Sequence, residues 1–407
     1  MWKKGAVDGI PRWTRVLMLV TLFGLVWVAQ PGESRAQFEV GSLHPPEYFG
    51  EGRIVSGAPA VRYNRVEGLF FGARITARPV PISGLSFPVC AGYGFHNKRW
   101  RYSLGVHQGL FRGEQLTLGA VFFDETASND GWRLRQVENS LAALLLKEDF
   151  MDYFGRTGWQ IFLDERLEGR HTARVVYASY RYQDMGADEG LAGALFGGKK
   201  QFRANPHIVE GHEQSLRLII ELDWRDSSLL PFEGTLVQAI YEKTWQDFTS
   251  DGLFVTVTHF RPTFAEQRFV VRAMVGARAR SLAPQHLLAL GGVGSLRGFR
   301  QNSQTGQNLV LLNAAYYFGG DILRVFSPGR RGGHDRVSLG LFCDAGSAWA
   351  VERVKKSLFS ELDGYHVLAD AGVSVLVGDG VGRVDFAKQV HGGDGSWRIT
   401  LRLLSAL

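Results

Sequence analysis

Apolar and polar residues alternate with a period of two along most of this chain after roughly residue 60. The segments 99–107, 216–224, 268–280 and 397–403 show the pattern most clearly, because each places apolar residues on one face and charged or polar residues on the other. A strand with one face against lipid or a core and the other against water has this period, whereas an amphipathic helix repeats every three to four residues. The pattern therefore predicts a protein built from strands.

The alternating segments predict sixteen strands. They span 66–78, 85–96, 99–109, 115–123, 134–146, 157–167, 171–183, 212–225, 233–245, 250–260, 266–280, 307–319, 335–347, 366–378, 381–390 and 396–405. The segment 134–146 is ambiguous, because its run of leucine and alanine at 141–146 is equally compatible with a helix. Short links such as 379–380 alternate with long ones such as 281–306, which is typical of an outer-membrane barrel.

The competing interpretation is a secreted β-sandwich or a soluble barrel, whose strands also alternate. Three features favour the membrane barrel. Tyr, Trp and Phe lie near the ends of the apolar faces, the opposite faces carry many charges, and sixteen strands are many for one sandwich. A closed barrel also leaves no unpaired strand edge in hydrocarbon.

The N-terminal region has the layout of a secretory signal peptide. Basic residues in the first fifteen positions precede an apolar run at 16–29, and small residues follow up to Ala36. The run is shorter than the ~20 residues that a membrane-spanning helix needs, so we expect export and cleavage after Ala36. The predicted organisation is a signal peptide at 1–36, a short periplasmic segment at 37–61 and a transmembrane β-barrel domain at 62–407. The expected location is the outer membrane of a Gram-negative-type bacterium.

Charge and cysteine content exclude several classes of protein. The 407 residues carry a formal net charge of +6, and the basic residues are scattered, so we predict no nucleic-acid partner. Cys90 and Cys343 cannot form a disulfide framework and are too far apart in sequence for a CxxC motif. We expect both to be small buried side chains.

Motifs for enzymatic chemistry are scarce. The sequence has no H-E-x-x-H or G-x-S-x-G motif, and its eleven histidines do not cluster at metal-ligand spacing. We therefore predict no enzyme, no metal and no cofactor. A barrel-embedded hydrolase stays open as an alternative, because catalytic residues at an outer rim can come from distant strands that sequence spacing does not connect.

The polar faces of the predicted strands contain more arginine than acid. If the apolar faces contact lipid, the interior of the barrel is basic and hydrated, and any leak conductance prefers anions. The arginines on these faces are Arg99, Arg101, Arg217, Arg268, Arg272, Arg398 and Arg402.

Two motifs in the second half of the chain resemble those of a known family. The stretch 290–299 reads Leu-Gly-Gly-Val-Gly-Ser-Leu-Arg-Gly-Phe, and 342–346 reads Phe-Cys-Asp-Ala-Gly. They resemble the Gly-Gly…Val-Arg-Gly-Phe loop, with Leu296 in place of Val, and the Phe-x-Asp-x-Gly strand motif of the bacterial surface antigen superfamily. This superfamily contains BamA and TamA, the outer-membrane insertion and translocation barrels, and the two-partner secretion transporters. Further similar signatures are 63–68, Asp226 with Pro231 and Gly234, and 384–387.

The resemblance implies a set of residues that hold a loop inside the barrel. Arg297 is expected to pair with Asp344, Gly298 to allow a tight turn, Phe299 to pack against the inner wall, and Gly346 to belong to the strand motif. An arginine between Gly-rich neighbours has a rigid donor fork that suits a carboxylate. A role in fixing the loop is favoured over direct contact with a client. The predicted fold class is thus all-β: a sixteen-stranded antiparallel transmembrane outer-membrane β-barrel with an inward-folded loop.

The resemblance also implies a function. We expect insertion of proteins into the outer membrane, or their translocation across it, through a seam between the first and last strands. The expected partners are outer-membrane lipid and client proteins or a periplasmic partner, and the barrel is expected to be monomeric. About 25 residues separate the predicted cleavage site from the first predicted strand, too few for a periplasmic POTRA domain, so a barrel-only branch is expected. A passive pore or structural barrel is the alternative of a different class.

Overall fold

A computed structural model describes the fold. It describes residues 55–79, 82–111, 114–186, 200–228, 230–264, 267–319, 337–350, 366–377 and 382–403. The predicted signal peptide 1–36 and most of the predicted periplasmic segment 37–61 lie outside these ranges.

Sixteen strands form one antiparallel sheet, in which strands consecutive along the chain are hydrogen-bonded neighbours. They are β1 (Val55–Asn64), β2 (Gly68–Ala77), β3 (Leu85–Gly94), β4 (Arg99–Leu110), β5 (Leu116–Ala127), β6 (Phe154–Arg166), β7 (Thr172–Gln183), β8 (Gly211–Asp223), β9 (Gly234–Gln246), β10 (Ser250–Pro262), β11 (Arg268–Ala279), β14 (Asn308–Tyr317), β15 (Val337–Trp349), β16 (Leu368–Val377), β17 (Gly382–His391) and β18 (Trp397–Leu403). This architecture confirms the all-β, sixteen-stranded prediction.

Further elements lie in the long connections, including two 3-10 turns at Asp130–Trp132 and Pro284–His286. The short strands β12 (Leu288–Leu290) and β13 (Gln304–Gly306) form a separate hairpin between β11 and β14. The helix α1 (Gln136–Leu146) lies between β5 and β6. In the described part of the chain, no helical segment has the length and hydropathy of a membrane span.

The prediction of a strand at 134–146 is wrong. Residues 138–140 and 143 are the buried positions of α1, a spacing that belongs to a helix. The helix ends at Leu146 and is capped by Lys147, which has a left-handed backbone with φ 55° and whose N–H donates to the Ala143 carbonyl 3.2 Å away. The ambiguous run 141–146 is therefore helical.

The missing strand is β1, which begins at Val55, ahead of the predicted barrel boundary at residue 62. Its exposed positions are Val55, Gly57 and Pro59, so only one of them is an aliphatic residue of the kind that reveals the other strands. Pro59 also has no N–H for a ladder and is typical of an edge strand. The predicted number of sixteen is correct because one missed strand offsets one misassigned helix.

The two faces of the sheet have the predicted polarity. Outward positions expose large apolar side chains: Trp100 is 67% exposed, Leu104 47% and Ile399 69%. Inward positions bury arginines, including Arg101 and Arg402. An apolar outer surface with a polar interior is the arrangement of a barrel surrounded by lipid.

Carboxylates neutralise many of the inward arginines. Glu242 lies 2.6 Å from Arg217 and 2.7 Å from Arg278, and Arg174 lies 2.5 Å from Asp164. The interior is therefore a network of ion pairs, which is less basic than the arginine count alone predicts. Cys90 is buried as expected, whereas Cys343 is exposed on the outer face of β15, where a small apolar side chain is compatible with lipid.

Adjacent positions on β6 test the assignment of the outer face. Ile161 is 46% exposed on the outer face, and the alternation places its neighbour Gln160 on the inner face at the same depth. We expect Ile161→Arg to lower the free energy of unfolding in phospholipid vesicles by about 2–4 kcal/mol, because a cation there enters hydrocarbon. Gln160→Arg is the matched control and should cost less. Equal losses in urea unfolding followed by tryptophan fluorescence would contradict this assignment.

Candidate functional site

The connection between β11 and β14 folds against the inner wall of the barrel. We call residues 280–307 the inner loop. Its Gly291, Gly292 and Gly294 have φ between 76° and 106°, values that glycine adopts without strain. A Cβ on Gly294 would lie 2.1 Å from the Arg133 carbonyl oxygen, so the loop needs glycine where it passes the segment that precedes α1.

Arg297 of the inner loop forms a two-bond ion pair with Asp344 of β15. Arg297 Nε donates to Asp344 Oδ2 at 2.8 Å, and Nη2 donates to Oδ1 at 3.1 Å. The guanidinium carbon also lies 3.7 Å from the ring centroid of Phe342. Both charged side chains are buried, so the pair fixes the loop in one position relative to the wall.

Further charges surround this pair. Arg297 Nη1 lies 3.6 Å from Asp385 Oδ1 of β17, and Arg383 Nε lies 3.0 Å from the same oxygen. Asp370 of β16 is directly opposite Asp344 in the β15–β16 register. The loop therefore contacts three consecutive strands through charged groups.

The main chain of Gly298 lies close to Asp370 of β16. Its N–H donates to Asp370 Oδ2 at 2.9 Å, and its carbonyl accepts from Gln389 Nε2 at 2.9 Å. A Cβ on Gly298 would lie 2.8 Å from the Asp370 Cβ, whereas its φ is outside the left-handed region. Gly298 lies in a turn in which the Phe299 N–H donates to the Leu296 carbonyl at 3.1 Å, and glycine is needed here for space beside Asp370.

Phe299 and Gly346 belong to the apolar contact between loop and wall. Phe299 is 4% exposed and lies in a cluster with Leu296, Leu309 and Leu368. A Cβ on Gly346 would lie 2.7 Å from the Val310 carbonyl oxygen and 3.1 Å from Leu290 Cδ1. The small residue in the strand thus leaves room for a leucine of the loop.

The other signatures form turns and wall contacts. In the β1–β2 turn, Asn64 Oδ1 accepts from the N–H of Glu67 at 2.7 Å, and Arg62 Nε donates to Glu67 Oε2 at 2.6 Å. In the β8–β9 turn, Asp226 Oδ1 accepts from the N–H groups of Ser227 and Phe232. Burial alone would raise the pKa of Asp226, but these backbone donors lower it below its usual range.

Sequence reasoning missed the connection between β5 and β6. We call residues 128–153, which include α1, the seam loop. Arg133 is buried and donates to the Asn302 side chain at 2.8 Å and to the Ala289 carbonyl, both in the inner loop. Glu138 Oε1 accepts from Arg402 Nε of β18 at 2.7 Å. The available signal was the helix-compatible run at 141–146, because a helix between strands has no place in a simple hairpin.

The described residues contain no group of three or more His, Cys, Asp or Glu side chains that could hold a metal ion. The charged cluster around Arg297 instead has the properties of a structural lock, in which each carboxylate is placed against a donor of the inner loop or the wall.

A double-mutant cycle tests the lock. We expect Asp344→Ala to lower the free energy of unfolding by about 3–5 kcal/mol, because Arg297 stays buried without its main carboxylate. The double variant Asp344→Ala/Arg297→Ala should lose much less free energy of unfolding than the sum of the losses in the two single variants, since the unpaired charge is then removed. Additive losses in urea unfolding would show that the two side chains do not act as a pair.

Gly298→Ala tests the close approach to Asp370. The added methyl group would force the loop away from β16, and we expect a loss of about 1–3 kcal/mol in the free energy of unfolding. Gly382→Ala is the control, because no atom of the described residues lies within 4 Å of a Cβ built at Gly382. The same loss at both positions would mean that the added methyl group, and not the contact with Asp370, lowers stability.

Comparisons with known proteins agree with this geometry. The Omp85 superfamily domain matches residues 84–399. The structure of BamA from Haemophilus ducreyi lacking POTRA domains 1-3 is similar, with 14% identity, coverage of 86% of this chain and 69% of that one, and a TM-score of 0.57.

Two CdiB structures align more loosely. CdiB from Acinetobacter baumannii is 12% identical, with 86% of this chain and 60% of that chain covered and a TM-score of 0.41. CdiB from Escherichia coli is 11% identical, with 90% of this chain and 66% of that chain covered and a TM-score of 0.40. No curated protein matches the chain in sequence. The family match covers well over half of the residues and includes both the inner loop and its partner strands, and it shows that this chain belongs to the Omp85 superfamily.

Proposed function

We propose that this barrel inserts proteins into the outer membrane or translocates them across it, through the seam between β1 and β18. The observation that carries the proposal is the buried ion pair between Arg297 and Asp344, which holds a long loop inside the barrel. A loop fixed by charge in the lumen, together with membership of the Omp85 superfamily, supports a regulated opening. The proposed mechanism needs no covalent chemistry and no cofactor.

We also propose the cellular setting in which the barrel acts. The chain is exported by a signal peptide that is cleaved after Ala36, and the barrel is a monomer in outer-membrane lipid. Its clients are other outer-membrane or secreted proteins, delivered from the periplasm directly or by a periplasmic partner. The apolar outer faces and the family membership support this location.

A passive pore or structural barrel is distinguished by what happens when the lock is broken. Single-channel recording of the wild-type protein and of Arg297→Ala in planar bilayers makes the comparison. A loop that obstructs the lumen should be displaced by the substitution, so we expect a larger or less stable conductance. An Arg297→Ala channel with the steady conductance of the wild type would favour the passive pore.

Client insertion tests the proposed function directly. We expect vesicles that contain the wild-type barrel to accelerate the folding of a urea-unfolded outer-membrane barrel, measured by its heat-dependent shift on gels. Protein-free vesicles and vesicles with an unrelated passive porin are the controls. Folding at the control rate would overturn an insertion role.

The hydrolase alternative has one geometric candidate in the described residues. Ser281 Oγ lies 2.8 Å from His286 Nδ1, and His286 Nε2 lies 2.8 Å from Glu213 Oε2. All three side chains are buried, and Ser281 Oγ also accepts the N–H of Ala283 at 3.3 Å. A nucleophile must be reached by its substrate, so this chain of contacts favours a structural link between the inner loop and β8.

A further inference from the structure

The two strands that end the sheet each have one strand neighbour in the part of the chain that the structure describes. β1 pairs with β2, and β18 pairs with β17. Main-chain groups on the other edge of each strand need partners, because unpaired peptide groups are costly in a membrane. The seam loop supplies partners to both edges.

At β18, a carboxylate of α1 accepts from the main chain. The main-chain N–H of Leu403 donates to Glu138 Oε1 at 2.9 Å, and Arg402 Nε donates to the same oxygen at 2.7 Å. Arg402 Nη2 also donates to the Arg133 carbonyl at 3.0 Å. The Glu138 side chain is 6% exposed, so these bonds are shielded from water.

At β1, a hydroxyl on the same helix has the corresponding position. The main-chain N–H of Tyr63 donates to Ser140 Oγ at 3.1 Å, and the Tyr63 side chain packs with Ala143 and the partly buried Leu144. Glu138 and Ser140 are two residues apart in α1. The helix therefore contacts the main chain of both terminal strands.

The seam loop also connects this contact to the inner loop. Just after β1, Arg65 Nη2 donates to Asp152 Oδ1 at 2.8 Å, and Asp152 Oδ2 accepts from Asn302 Nδ2 of the inner loop at 2.7 Å. Arg133 bonds to Asn302 as well. The seam loop thus bonds to the inner loop as well as to the residues at both edges of the sheet.

We propose that α1 is an intramolecular substitute for a client strand, and that Glu138 and Ser140 keep the seam occupied until a client displaces them. This inference rests on the proposed function and adds how access to the seam is controlled. An extended client segment that adds to a sheet edge bonds to main-chain N–H and C=O groups. The N–H groups of Tyr63 and Leu403 are already used by α1, so its side chains must leave first.

Hydrogen exchange of the full-length protein in lipid nanodiscs, with no client present, tests the contact. Glu138→Ala removes the acceptor and preserves helix propensity. We expect the peptide that contains Leu403 to exchange about tenfold faster, as loss of a shielded hydrogen bond predicts. Gln136→Ala, a half-buried position in the first turn of the same helix, is the control and should leave that rate unchanged. Unchanged exchange in Glu138→Ala would overturn the proposal.

Client folding on the same variants tests whether the contact restrains the seam. The unfolded client barrel should fold faster in vesicles with the Glu138→Ala variant than in vesicles with the wild type. The rate with Glu138→Asp should lie between these two. Slower client folding in Glu138→Ala, with faster exchange, would show that α1 supports the seam and would overturn the proposed restraint. The two measurements are independent, because hydrogen exchange is measured without a client. A wild-type protein without insertion activity would overturn the proposed function, and the exchange rates would still show whether Glu138 protects the Leu403 N–H.

Discussion

Hydrocarbon offers no hydrogen-bond partner to a peptide group, and this constraint organises the whole barrel. Fourteen of the sixteen strands have a strand on each side, so their main-chain groups are satisfied within the sheet. The constraint is strictest at β1 and β18, where side chains of the seam loop bond to the main chain. Ser140 and Glu138 of α1 thus accept from one main-chain N–H group of each terminal strand.

The interior is governed by a second requirement, that buried charges be paired. The inner loop brings Arg297 to Asp344 and the Gly298 amide to Asp370, and β17 adds Arg383 and Asp385. A buried pair is weak evidence for added stability, because desolvation offsets much of the attraction. It is better suited to specify one position for the inner loop, whose Leu296 and Phe299 also pack in an apolar cluster with the wall.

Several parts of the fold and site follow from sequence because their signal is local. The period of two marks strands such as β4 and β11, since each side chain meets either lipid or the interior. The motifs around Arg297 and Asp344 indicated their pairing through the family resemblance. The strand β1 was not predicted because Gly57 and Pro59 take outward positions. The helix α1 was predicted as a strand because a short leucine-rich run fits either element.

By itself, the sequence determined the all-β class and the polarity of the two faces of strands such as β4 and β11, because these depend on residue type and spacing along the chain. The resemblance to the family indicated the arginine of the inner loop. Only the tertiary structure decided which charges meet. Glu138 and Arg402 are 264 positions apart, and Arg65 and Asp152 lie in different connections. Such contacts arise when the sheet curves and brings its first and last strands to the same helix, and no local pattern encodes that distance.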